Sequence, residues 1–137
     1  MSVQSDVPPE LKALSHFHGH LGPYVVIGYR MGSLAKAELV GKTKAVVRSG
    51  PRPPLSCLAD GVQFSSGCTL GKGNIEVSDE GLAQAMFSAG DRVLLITLKE
   101  EVRRDIDANM SKQNEVHLAM SIYRAELDSL FEIKRSW

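Results

Sequence analysis

Three of the chain's four histidines fall in one short run, Ser15-His16-Phe17-His18-Gly19-His20, just ahead of Pro23, a residue suited to a helix's first turn. On an extended segment residues two apart project to the same side, so His18 and His20 are placed to offer two imidazoles to one ion. On a helix they would diverge by about 200°. Gly19 between them lets the backbone bend and adjust the bite. Imidazole ligates zinc, nickel, copper and iron, and a zinc site needs one or two further ligands, for which a cysteine thiolate is the obvious candidate. The plain alternative is a polar approach to a helix N-terminus with the histidines capping or solvated, because a bare His-x-His is a weak motif.

Cys57 is the second focus. It follows Pro53-Pro54-Leu55-Ser56 and so should sit at a helix start, where unpaired N–H groups and the helix dipole favour a thiolate, which is both a nucleophile and a soft metal ligand. Its plain alternative is a small buried hydrophobe. Asp60, three residues on, shares nearly the same helix face and can orient a histidine or hold a water, although acidic residues favour first turns in any case. The stretch Gly67-Cys68-Thr69-Leu70-Gly71-Lys72-Gly73-Asn74 looks like a phosphate loop but is not one: its first glycine is one residue too close to Gly71-Lys72, and Gly73 stands where magnesium would need Ser or Thr. Its glycines can still expose N–H groups around a small anion, with Lys72 supplying charge and Cys68 alongside, or it is a plain turn. Cys68 lies at the far end of the Cys57 helix, roughly 16 Å away at 1.5 Å per residue, so the two thiols are not expected to pair. His117 reads as a surface histidine, and Lys42, Lys44, Arg48 and Arg52 as a solvated basic face.

The elements that must position these groups are short and mixed. Pro8-Pro9 starts a short helix through Leu11 and Leu14, and Pro23 opens a longer one running to about Leu39. Val25, Val26, Ile27, Met31, Leu34 and Ala35 cover most of its circumference, which predicts a central, buried helix. Residues 44–48 resemble a strand, and a Gly-Pro-rich loop then delivers the chain to a helix from Ser56 or Cys57 to Ser66, with Gly67 as its C-terminal cap. Asn74 to Ser78 alternates like a half-buried strand, Leu82 to Phe87 is a strand or short helix, and Arg92 to Leu98 is the clearest strand. Residues 100–105 read as a helix surface. Val116, Ala119, Met120, Tyr123 and Leu127 recur at helical spacing from about Gln113 to Leu127, and Phe131-Glu132-Ile133 is a last short strand. The class is α+β: one domain over residues 1–137, a mixed sheet packed with helices.

Composition narrows the function. The 137 residues carry 16 Lys plus Arg against 16 Asp plus Glu, a formal net charge of zero that removes the global attraction nonspecific nucleic-acid binders depend on. No nucleic-acid partner is expected, and any anion binding must be local. A neutral surface also favours self-association. Two cysteines are too few for a disulfide scaffold, the start has neither a basic nor an apolar signal-like stretch, and no apolar run approaches the roughly 20 residues that span a bilayer. The expectation is a cytoplasmic protein with free thiols and no membrane contact.

Phe17 to Pro23 running into Ile27 to Gly32, taken with Cys57-Leu58-Ala59-Asp60-Gly61-Val62-Gln63 and Gly67 to Asn74, resembles the FmdE family, which takes its name from formylmethanofuran dehydrogenase. The blocks cover about residues 10–80. The resemblance implies a domain similar to the catalytic domain of glyceraldehyde-phosphate dehydrogenases, commonly an intertwined homodimer, with a cleft gathering the His-x-His, the cysteine and neighbouring polar residues around a metal. Many members have a cysteine where this chain has Gly22, which removes one candidate ligand. Some carry a C-terminal zinc finger, of which residues 1–137 hold no part. The family's link to the dehydrogenase rests mainly on gene association.

Three functions compete. The favoured one is a metal-binding protein of one-carbon or redox metabolism in which His18, His20 and Cys57 converge on a divalent transition metal, zinc first, with Asp60 behind them. The second is a metal-free thiol enzyme: Cys57 attacks an electrophilic carbon, a histidine shuttles the proton, and the Lys72 turn holds an anionic substrate. The third is a noncatalytic protein that delivers a metal or organises a redox-enzyme complex.

Overall fold

Glycine and proline punctuate the chain where their backbone preferences are needed. The computed structural model describes residues 6–137. Helix α1 (Pro9–His18) has proline in its first turn and ends on Gly19, whose left-handed φ of 104° turns the chain away while its N–H still caps the Ser15 carbonyl at 2.7 Å. Helix α2 (Pro23–Glu38) follows after four residues and is buried along Pro23–Gly28 and at Met31, Gly32 and Ala35, the central helix its composition predicts. Strand β1 (Thr43–Val47) and helix α3 (Cys57–Ser66) come next, the latter stopped by left-handed Gly67. Strands β2 (Ile75–Val77), β3 (Gln84–Ala89) and β4 (Arg92–Leu98) precede helices α4 (Glu100–Asn109), α5 (Glu115–Arg124) and α6 (Leu127–Leu130), and β5 (Phe131–Arg135) closes the chain.

The result is one small α+β domain with a mixed five-stranded sheet ordered β2-β1-β3-β4-β5. β1 and β2 run parallel, and the other neighbours are antiparallel. Side chains alternate strictly. Ala45, Val47, Ala85, Phe87, Leu94 and Ile96 are buried on one face, while Val46, Met86 and Leu95, paired in register across three strands, form a half-buried stripe on the other.

The contact that sets the site is between α2 and α3. A Cβ added at Gly28 would stand 2.1 Å from the Leu58 carbonyl oxygen, and one at Gly61 would stand 2.1 Å from that of Val25. The two helices therefore touch backbone to backbone, which only glycine permits at these positions. Phe64 of α3 packs against Phe17 of α1 and Tyr29 of α2, with ring centroids 5.8 and 6.2 Å apart, and this holds the end of α1 beside α3.

Several expectations shift. Helix α1 runs through His16 to His18, so the histidine pair is not on an extended segment. Residues 113–127 do not form one helix: Arg30 of α2 donates to the carbonyls of Ile122, Tyr123 and Ala125 at 2.8, 3.0 and 2.7 Å, and the chain turns extended at Ala125. The element expected over residues 82–87 is a strand, and it lies two residues later, at Gln84–Ala89. β2 is shorter because the Asn74 side chain serves the preceding turn, accepting from the Thr69 N–H and donating to the Thr43 carbonyl. β5 is longer because Lys134 and Arg135 continue the ladder with Leu95 and Leu94, and Arg135 also pairs with Glu38.

Candidate metal centre

Three chain segments meet at one end of the α2–α3 pair: the end of α1, the turn into α2, and the start of α3. His18 is the last residue of α1, and the left-handed step at Gly19 brings His20 back beside it, with ring centroids 4.7 Å apart. The imidazoles approach through a helix cap rather than through an extended pleat. Cys57 opens α3 opposite them. Ligand-capable atoms of His18, His20 and Cys57 all lie within 4.8 Å of one another, a spacing that side-chain rotation can close around one ion.

Asp60 reaches back from the first turn of α3 and takes His18 Nδ1 at 2.6 Å, while its other oxygen accepts from Gln63. That pairing turns the Nδ1 proton toward the carboxylate, so that in the neutral ring the lone pair is on Nε2. His18 Nε2 is buried and has no hydrogen-bond partner, the state that structures avoid unless something else meets the atom. A carboxylate behind a histidine whose far nitrogen faces a ligand cluster is the usual support of a metal-bound imidazole. His20 has a longer version of it, Nδ1 to Glu115 Oε2 at 3.5 Å. A small recess of about 20 Å³, enough for one ion or water, lies against Cys57, His20, Gly22 and Glu115. Two imidazoles and a thiol form a borderline-soft donor set that suits zinc and not magnesium or calcium.

The thiol's electrostatics differ from expectation. Burial pushes the Cys57 thiol above its ordinary value, and the carboxylates of Asp60 and Glu115 add to this, against a smaller downward pull from a backbone hydrogen bond. The helix start does not reverse it: the N–H groups of Cys57, Leu58 and Ala59 already donate to the carbonyls of Pro54, Leu55 and Ser56, and only that of Cys57 acts on the thiol as well. A thiol in this setting is a poorer free nucleophile at neutral pH than an ordinary cysteine.

Glu115 is the residue sequence reasoning missed. It opens α5, far along the chain, and its acidic position in a helix's first turn carries no signal beyond dipole preference. Gly22 links it to the site, since a Cβ there would stand 3.4 and 3.5 Å from the His20 ring and 3.6 Å from Glu115 Oε2. Tyr24, also unflagged, is buried beside the same space and donates to Asp107 at 2.5 Å.

Lys72 and Cys68 are not brought to this cluster. Both line a separate groove at the opposite end of α3, with Lys42, Lys44 and Asn74. Cys68 is 1% exposed and donates its S–H to the Thr43 carbonyl at 3.4 Å, and both cysteines are free thiols. The glycine-rich turn does not form a backbone anion cradle: the N–H groups of Gly67, Cys68, Thr69, Leu70, Lys72 and Gly73 all donate to acceptors within or beside the turn. His117 is exposed.

Comparison with known proteins agrees with the architecture. A family model described as FmdE, molybdenum formylmethanofuran dehydrogenase operon, matches residues 17–132. A protein of Archaeoglobus fulgidus, described as a probable S-adenosyl-L-methionine-binding protein, is 35% identical over an 83-residue alignment that covers 57% of this chain; the chain spans 23% of that protein's length. The crystal structure of an FmdE-like protein from Syntrophus aciditrophicus, described as of the tungsten formylmethanofuran dehydrogenase type, superposes with a TM-score of 0.71 at 24% identity, covering 98% of this chain and 72% of the other. At that identity the likeness is one of fold.

Proposed function

The chain belongs to the FmdE family, and from that premise we propose that it is a metal-binding protein whose divalent transition metal, zinc first, is held by His18, His20 and Cys57. The observation that carries this reading is the buried, unpartnered Nε2 of His18, whose Nδ1 is taken by Asp60. Held by His18, His20 and Cys57, zinc would supply Lewis-acid polarisation or an activated water. The chain's own groups do the rest. Asp60 and Glu115 orient the two imidazoles, Tyr24 walls the site, and Cys57 would have to give up its proton to ligate, so that affinity would fall as pH falls.

The wider setting of this proposal is a cytoplasmic homodimer that serves as an enzyme or accessory of one-carbon or redox metabolism, with an architecture similar to the catalytic domain of glyceraldehyde-phosphate dehydrogenases. Zero net charge and the half-buried Val46–Met86–Leu95 stripe support self-association. No helix among the described residues is long and apolar enough to cross a membrane. The raised thiol speaks against the metal-free thiol enzyme. The ligand named for the Archaeoglobus relative, S-adenosyl-L-methionine, is a compound to titrate against the loaded protein.

Elemental analysis of protein purified without a metal column tests the reading. About one zinc per chain, lost in the His18→Ala, His20→Ala double variant, supports it; no stoichiometric metal after reconstitution overturns it.

A further inference from the structure

A cleft of about 430 Å³ opens beside the candidate centre, between the outer face of α1 and the start of α5. Its inner end is formed by His20 and Glu115, the same residues that border the small space at Cys57. Its outer wall carries Lys12 and His16, four residues apart on α1 and therefore stacked on one face. Leu21, which is buried, gives the cleft an apolar floor.

Lys12 makes no ion pair or side-chain hydrogen bond with the described residues, and neither does His16. The carboxylate that faces the cleft, Glu115, is turned toward His20 instead, at 3.5 Å. A cation and an imidazole N–H thus stand unmatched at one end, over an apolar middle, with the candidate ligands at the other. Such a cleft, at the small end of ligand-site volumes and with few convergent polar groups, has the anatomy of a binding site. From Lys12 to His18 the helix rises about 9 Å.

Resting on the metal-centre reading above, we infer that this cleft receives a small, extended organic anion, its carboxylate or phosphate tail held by Lys12 and His16 and its other end presented to the metal beside His20. Lys12 gives the ammonium point charge that oxyanions of either kind accept, and His16 supplies an N–H donor in either protonation state. The methylenes between the two ends lie along Leu21.

The test uses the cobalt(II)-loaded protein and hydroxamates that chelate the ion. Acetohydroxamate reads the centre alone, through the cobalt absorption spectrum. Adipic acid monohydroxamate, its methyl ester, and an analogue with a phosphonate tail read the cleft. The expected result is binding at least tenfold tighter for the better of the two anionic tails than for the ester, with the order of the two naming the tail. In Lys12→Ala, whose parent side chain is exposed, that advantage should fall to less than threefold while acetohydroxamate binds unchanged. Equal affinity for anionic and ester tails overturns the inference and leaves the metal centre standing, as does an advantage that survives in Lys12→Ala. Failure to take up cobalt overturns the centre and this inference together.

Discussion

Helix α3 carries a cysteine at or just beyond each end, and each has glycines and charged side chains for neighbours, yet the two ends are chemically unlike. At the Cys68 end the thiol and the turn amides are already spoken for, the thiol donating to Thr43 and the N–H groups of Thr69 and Leu70 to side chains beside the turn, which leaves only solvated lysines. At the Cys57 end the polar groups are oriented but not satisfied, with His18 Nε2 bare and Asp60 fixed behind it. Residue types alone do not separate these ends. What separates them is whether neighbouring backbone has consumed the donors and acceptors first.

The contrast breaks most completely if α2 and α3 are forced apart, because both ends depend on that contact. Gly61→Val puts a side chain into the Val25 carbonyl and should cost at least about 3 kcal/mol, at the upper range for overpacking, read as a collapse of the urea midpoint. An unchanged midpoint would mean the close approach is not needed. Next in size, Cys57→Ala should weaken zinc binding by more than about 100-fold, beyond the loss of an outer partner, whereas Cys68→Ala should leave zinc affinity intact and lower stability by about 1 kcal/mol. A competition titration against a chromophoric chelator measures the first, and equal losses from both variants would erase the distinction. Asp60→Asn should weaken zinc by about 10- to 100-fold, while Lys72→Ala should do nothing.

The smallest effect concerns Tyr24, a satisfied pair at the unsatisfied end. Burial raises its phenol well above the ordinary value, and the hydrogen bond to Asp107 and that carboxylate's charge raise it further. A raised phenol favours the folded state below pH 10, and this contribution is lost as pH climbs toward the folded value. Melting temperature should therefore decline above pH 10, and Tyr24→Phe should decline less, after losing about 1 kcal/mol at neutral pH with the hydrogen bond. Tyr29 and Tyr123 shift the same way, so a residual slope remains.

Much of this was readable beforehand, for definite reasons. The all-round apolar surface of α2, the Gly67 stop and the alternation of β4 are local signals, and each appears where expected. The histidine geometry was not legible, since Leu11 and Leu14 carry helix through His18 and only the φ of Gly19 reunites the rings. Glu115 and the break after Arg124 depend on contacts across roughly a hundred residues, with His20 and Arg30. Spacing along the chain encodes nothing about such partners.

His18 and Asp60 are 42 positions apart and already joined. An ion bridging His18 to Cys57 would act on that junction as a detachable rivet, tying the first helix to the third. Resistance to unfolding would then rise with the logarithm of free metal concentration, and a starved cell would hold a looser form of this protein than a replete one.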